Sequence, residues 1–162
     1  MFSIGIITAS DKGARGERED ISGKVIADML ADLGNVKHYQ IVPDEQAALS
    51  QAIIDMADNK KIDLILTTGG TGLGPRDVTP EATLAVIDRQ VPGIPEAMRA
   101  KSLTITARAM LSRAVAGMRG RTLIINLPGS PKGVRECLEV ILPSLEHGLA
   151  IMKGEAGECA RP

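Results

Sequence analysis

Aromatic side chains are nearly missing from this chain: among 162 residues there is no Trp, and Phe2 and Tyr39 stand alone. The core must therefore be built from Ile, Leu, Val, Ala and Met, and nucleic-acid binding that stacks bases on rings loses its usual platform. Cysteine is equally scarce. Cys137 and Cys159 are too few and too oddly placed for a disulfide framework or a zinc site, which fits a reducing cytoplasm. Neither sign of charge is in excess: 19 Lys plus Arg against 20 Asp plus Glu give a formal net charge of -1, which argues against a general binder of polyanions. No apolar run is long enough to cross a membrane, and the opening FSIGIITAS is too short and too uncharged for a secretory signal. Composition thus points to a soluble, cytoplasmic protein with neither nucleic acid nor membrane as partner. His38 and His147 lie outside every motif, and Cys137 falls on an apolar helix stripe where a small core residue is expected.

What the chain does have is enough apolar sequence, 44% of its residues, for one sizeable core. The Ile-rich run Phe2 to Ala9 reads as a buried strand, followed by a polar loop, SDKGARGERED. Ile21, Val25, Met29 and Leu33 then recur at helical spacing until Gly34-Asn35. Val36 to Val42 reads as a strand; Leu49, Ala52, Ile53 and Met56 mark a helix. Ile62 to Leu66 is apolar throughout, as a strand covered on both faces should be. Thr79-Pro80 reads as an N-cap with proline at the first helical position, opening a helix through Leu84 and Ile87 that Pro92 and Pro95 break. Ala97 to Ser102 is a further short helix. Arg113 to Met118 and Thr122 to Leu127 read as a hairpin turning at Arg119-Gly120, and Ser130-Pro131 opens a last helix on Val134, Cys137, Leu138, Ile141 and Leu145. Strands alternating with helices predict an α/β fold: a three-layer sandwich on a mostly parallel sheet with one antiparallel element. Residues 1–153 are expected to form a single domain, with 154–162 a flexible tail.

The stretch TTGGTGLGPRDVTP, residues 67–80, carries the chemistry. Glycine occupies four of six positions from Gly69 to Gly74, at the carboxyl end of a strand where ligands bind in open α/β sheets. Glycines let a ligand approach the backbone, and the exposed N–H groups ahead of a helix suit phosphate oxygens. A plain tight turn would use the same residues. The run matches neither the Walker A pattern nor G-x-G-x-x-G. Asp77 beside such a loop reads either as a Mg²⁺ ligand or as an acceptor for loop N–H groups. Asp44, after Pro43, reads either as a helix N-cap or as a second metal ligand. Asn126-Leu127-Pro128-Gly129-Ser130-Pro131-Lys132 repeats the passage from strand end to helix start, and Ser10-Asp11 ends the first strand. Between Glu96 and Glu136 no acidic residue occurs, while eight basic ones do; they either scatter over solvated faces or converge in part on an anion.

With these segments assembled, the chain resembles the molybdopterin adenylyltransferases, the MogA/MoaB-type family of molybdenum cofactor biosynthesis. The resemblance rests on TTGGTGLGPRDVTPEAT at 67–83, LSRAVAGMRGRTLIINLPGSPKG at 111–133, IVPDEQ at 41–46 and the opening IGIITASDKGARGERED, and covers roughly residues 3–153. It implies a molybdopterin-binding-like fold, a homotrimer, and Mg²⁺-dependent transfer of AMP from ATP to the terminal phosphate of molybdopterin, with pyrophosphate released and the product handed to a downstream molybdenum insertase. It further implies that Asp44 and Asp77 are the catalytic carboxylates and Mg²⁺ ligands. Ser10, Asp11, Gly69, Gly70, Thr71, Gly72, Asn126, Pro128, Gly129 and Ser130 would line the pterin and nucleotide site. The REDISG segment resembles the MoaB-like branch, whereas both aspartates favour an active enzyme. A non-catalytic molybdopterin carrier of the same fold is the alternative. A full metal insertase would need domains for which this length leaves no room.

Overall fold

Alternation along the apolar strands decides what lies on each side of the sheet. In β1 (Phe2–Ala9), Ile4 and Ile6 face one layer, Ile7 and Ala9 the other; in β3 (Leu64–Thr68), Leu64 and Leu66 oppose Ile65; in β6 (Thr122–Leu127), Leu123, Ile125 and Leu127 oppose Ile124. Helices α2 (Ile21–Met29), α5 (Gly93–Leu103) and α6 (Pro131–Lys153) cover the first face. The second is covered by α3 (Gln46–Ile54), continued in a π-helical turn Asp55–Asn59, and by α4 (Thr79–Leu84). Burial on both faces is what makes these strands read as continuous apolar runs. Fully burying each such aliphatic side chain stabilises the fold by about 1.5–3 kcal/mol, so a core almost without aromatics is no handicap. The computed structural model describes residues 1–155. The tail expected to be flexible lies outside the described residues from 156 onward, as does Cys159.

With β2 (Gly34–Val42), β4 (Arg89–Gln90) and β5 (Ala116–Arg119), the six strands lie in the order β2-β1-β3-β6-β5-β4. Strands β2, β1, β3 and β6 are parallel, while β5 runs against both β6 and β4. One strand therefore opposes the rest, as the hairpin at Arg119-Gly120 predicts, and Gly120 supplies the positive φ of its turn (54°). The expected three-layer α/β sandwich is what is observed.

Several local expectations fail for physical reasons. Pro95 does not break a helix: α5 starts at Gly93 and takes Pro95 into its first turn, where a missing N–H is harmless. The chain before it forms edge strand β4, two residues too short to show a pattern. Strand β5 begins at Ala116, not Arg113, because the N–H of Arg113 leaves the sheet for the carbonyl of Thr71 at 2.9 Å. Gly34 opens β2 rather than merely ending a helix. The polar loop after β1 contains a one-turn helix, α1 (Asp11–Ala14), capped by the Ser10 hydroxyl. Thr79 is not the N-cap of α4. Val78 holds that position without a side-chain bond, and Thr79 is fully buried as the first helical residue.

The chain passes from β1 outward to β2 on one side and then to β3 on the other, so direction reverses between β1 and β3. In open α/β sheets such a switch point leaves a crevice beyond the carboxyl ends of the strands. Here Thr8, Thr68 and Leu127 are register neighbours across β1, β3 and β6, which brings their following loops to one edge.

Candidate active site

The glycine loop leaves β3 along the floor of this crevice. Gly69 donates to the carbonyl of Leu127 at 3.3 Å and has φ 90°; a Cβ there would lie 2.5 Å from the carbonyl oxygen of Ala9. Gly70 has φ 70°, and its carbonyl accepts from the N–H of Thr79 at 3.1 Å. Both positions need glycine, one for close approach to a strand and both for backbone shape. The loop becomes a ridge between two clefts. On one side, a cleft of about 680 Å³ is lined by Ser10, Asp20, Asp44, Gly69, Gly70, Asp77, Gly129 and Ser130 among others. On the other, one of about 500 Å³ is lined by Thr71, Gly72, Arg99, Arg108, Pro128, Ser130, Lys132 and Cys137 among others. Ser130 faces both.

The first cleft is rich in carboxylates. Asp11 and Asp44 exchange bonds: the N–H of Asp11 donates to Oδ2 of Asp44 at 2.9 Å, and the N–H of Asp44 to Oδ1 of Asp11 at 3.0 Å. Arg76 clamps Asp11 with two bonds of 3.0 and 2.9 Å. That guanidinium, and then the Asp44 N–H, hold the Asp11 carboxyl below the usual carboxylate range. Asp44 goes the other way. Burial, opposed by its bond from Asp11, pushes its pKa up, and the neighbouring carboxylates of Asp11 and Asp77 add to the push. Its charge is thus disfavoured where it stands. Asp77 accepts from the N–H of Gly74 at 2.8 Å, the loop-stabilising role foreseen for it. Asp44 is not a cap, since Glu45 precedes α3 and makes no side-chain bond.

Each of Asp44 and Asp77 keeps its Oδ1 free of protein donors among the described residues. No group of three His, Cys, Asp or Glu able to cage a metal occurs among those residues. Two carboxylates without a cage fit Mg²⁺ arriving with a phosphate ligand, because that ion keeps waters and takes one or two protein carboxylates. A divalent charge would also relieve the cost of ionising Asp44.

Asp20 was not anticipated. It caps α2 by accepting from Gly23 N–H at 2.9 Å, and its other oxygen accepts from the hydroxyls of Thr8 at 2.5 Å and of Tyr39. Burial, and next this carboxylate, push the Tyr39 hydroxyl above the ordinary tyrosine range. The Asp-Ile pair, an acidic residue ahead of the first periodic apolar one, is the N-cap signal that could have exposed Asp20. Two residues on, the Ser22 hydroxyl donates to the carbonyl of Gly129 at 2.7 Å, tying the REDISG segment to the loop after β6.

In the second cleft, Ser130 caps α6 by accepting from Gly133 N–H at 3.1 Å, as foreseen. Thr68 donates to the Pro128 carbonyl at 2.7 Å, setting that loop against the end of β3. Of the eight basic residues, Arg99, Arg108 and Lys132 line this cleft; Arg119 turns away to Asp58. Asn126 lines neither cleft. It is fully buried under β6, donating to the hydroxyls of Thr67 at 2.9 Å and Thr83 at 3.0 Å and accepting from Val115 N–H at 3.2 Å, so it joins sheet to α4 instead of meeting ligand. Asp11 stands behind Asp44, and the Thr79 hydroxyl, buried without a partner, faces Gly70. Cys137 is buried, as expected, with burial pushing its thiol pKa up. The second cleft draws on the Pro128–Lys132 segment expected to form a second ligand-binding terminus, whereas no particular role was expected of Arg113, whose guanidinium grips the loop.

Comparison with known proteins finds clear relatives. The family described as a probable molybdopterin binding domain matches residues 5–147. A molybdopterin adenylyltransferase of Helicobacter pylori strain J99 is 45% identical over 154 residues, 93% of this chain and 88% of that one. The Escherichia coli K12 protein of the same description is 42% identical over 139 residues, covering 84% and 71%. Among solved structures, the molybdopterin biosynthesis enzyme MoaB of Thermus thermophilus superposes with a TM-score of 0.91 at 53% identity, over 98% of this chain and all of that one.

Proposed function

The chain belongs to the molybdopterin-binding domain family of molybdenum cofactor biosynthesis, and from that premise we propose that it is a molybdopterin adenylyltransferase, moving AMP from ATP to the terminal phosphate of molybdopterin. The observation that supports this most directly is the meeting of a carboxylate cleft and a basic cleft at the glycine ridge and Ser130. A reaction that joins two phosphate-bearing molecules needs such a common edge. The carboxylate side suits the nucleotide, since Asp44 and Asp77 are the residues that would hold Mg²⁺, and the bound ion would neutralise triphosphate charge. The basic side, with Arg99, Arg108 and Lys132, suits molybdopterin, its phosphate reaching the ridge.

The chemistry asks little of the protein beyond placement. A phosphate monoester is already a competent nucleophile near neutral pH, so no Ser-His pair is required. An oxygen of the molybdopterin phosphate bonds to the α-phosphorus of ATP while the bond from that phosphorus to the bridging oxygen of the β-phosphate breaks, and its electron pair leaves with pyrophosphate. The N–H groups of Gly70 to Gly72 and the start of α6 at Ser130 would hold the reacting phosphates in line. The reading keeps the cytoplasmic placement and the hand-over to a molybdenum insertase expected from the sequence; no described helix is long and apolar enough to cross a membrane.

Purified protein given ATP, Mg²⁺ and molybdopterin should release pyrophosphate, and should stop when EDTA removes the metal. Pyrophosphate no higher than in a protein-free control would sink the proposal, and tight molybdopterin binding without ATP consumption would favour the carrier instead. For assembly, the homotrimer remains the expectation. The apolar trough between α5 and α6, lined by Val91, Ile94, Val140, Ile151 and Met152, is the surface it would cover. Light scattering should return three times the 17.1 kDa chain mass, and a monomer at assay concentration would exclude it.

A further inference from the structure

Between Gly69 and Val78 the chain belongs to no strand or helix, and its own backbone bonds are few. Most of the side-chain grip on its carbonyls comes from one residue. The N–H of Arg113 donates to the Thr71 carbonyl at 2.9 Å, its Nε to the Gly72 carbonyl at 2.7 Å, a terminal nitrogen to the Asp77 carbonyl at 2.7 Å, and the other terminal nitrogen to Glu81. The planar fork therefore spans the loop from Gly72 to Asp77 and anchors it to the first turn of α4. We propose that Arg113 is the positioning residue of this site: it fixes the ridge and the backbone of Asp77, so that the ridge N–H groups and the Asp77 carboxylate meet the transferring phosphate in register.

The geometry is specific to arginine. Three carbonyls and a carboxylate lie in different directions around one residue, and a lysine, with a single point charge on a flexible stem, cannot replace the fork that reaches the last three together. Arg113 is also held from behind. Arg99, on the wall of the basic cleft, donates to the carbonyls of Ser112 at 3.4 Å and Ala114 at 2.9 Å, the two residues that flank it. The inference rests on the adenylyltransferase reading for its consequence in turnover, but not for its claim about the loop.

The test therefore has two arms. In the first, Arg113→Lys and Arg113→Ala should lower kcat by about tenfold to a hundredfold, the effect of an ångström-scale misplacement, with KM for molybdopterin little changed. Added guanidinium, well below denaturing levels, should restore part of the rate to Arg113→Ala. Glu81→Gln, which leaves the three carbonyl bonds in place, should change kcat less than about threefold. In the second arm, hydrogen exchange without substrates should speed up in the peptide covering 69–78 of Arg113→Lys and stay unchanged in β1 and β3, which report the intact fold. Wild-type kcat in both variants, unchanged exchange in the loop, or no guanidinium rescue would each overturn the assignment. If the wild type itself makes no pyrophosphate, the functional reading falls, and the exchange arm alone decides whether Arg113 holds the ridge.

Discussion

Asp44→Asn is expected to melt above the wild type while making adenylyl-molybdopterin about 10²- to 10³-fold more slowly, the usual cost of losing a charged group aimed at the transition state. The gain in melting follows from the raised pKa of Asp44 through burial, with Asp11 and Asp77 adding to it; the loss of turnover follows from its proposed hold on Mg²⁺. The folded state binds this proton more tightly than the unfolded chain, whose Asp titrates near 3.8. Below that value the group has no effect on stability. As pH rises through the raised folded value, the folded protein must ionise a carboxyl the fold disfavours, and stability falls. An Asn keeps an oxygen for the N–H of Asp11 and removes the charge. In EDTA and without nucleotide, the variant should therefore melt roughly 1–3 °C higher at pH 8, by about 1 kcal/mol or less for a chain this size, and the gap should close as the pH falls toward the unfolded value. A gap that widens on acidification, or equal turnover in the two proteins, would remove Asp44 from the role given to it.

Gly69→Ala should lower melting by about 4–20 °C and abolish measurable product. Two costs combine: an alanine in left-handed backbone loses about 1–2 kcal/mol, and forcing its Cβ against the Ala9 carbonyl adds about 1–3 kcal/mol of overpacking, each kcal/mol being worth roughly 2–4 °C. Gly16 separates the two. It has φ 74° but nothing within 4 Å of where a Cβ would stand, so Gly16→Ala carries only the first cost and should drop by roughly 2–8 °C. Differential scanning calorimetry of the two variants decides the matter: equal losses would mean that the ridge does not pack against β1 as described.

Much of this arrangement is local enough to be read from the chain. Apolar runs buried on both faces announce β1, β3 and β6, and Ser130-Pro131 announces a helix start by a device confined to two adjacent residues. The glycine loop is legible because its need for bare backbone is written in the residue type. What escapes the sequence is contact at long range. Arg113 reaches Gly72 and Asp77 from 41 and 36 residues away, and no spacing records that. Asn126 looked like a ligand because it precedes Pro-Gly-Ser; only its parity along β6, opposite to Ile125 and Leu127, sends its side chain inward to Thr67 and Thr83. Thr79 followed the N-cap pattern and failed it because α4 starts one residue earlier, which buries the Thr79 hydroxyl inside the first turn. The division into two clefts is a property of the ridge in three dimensions, with no counterpart in a string of glycines.

The bond from Tyr39 to Asp20 has an optical consequence. The chain contains no Trp and no other Tyr, so its ultraviolet emission comes from a single phenol that is half exposed and bonded to a carboxylate on the wall of the carboxylate-rich cleft. Carboxylate acceptors draw on the excited phenol proton and quench its light. Unlabelled protein thus carries one native fluorophore, already placed where ligand entry would disturb its carboxylate partner, against a background with no other emitter of comparable strength.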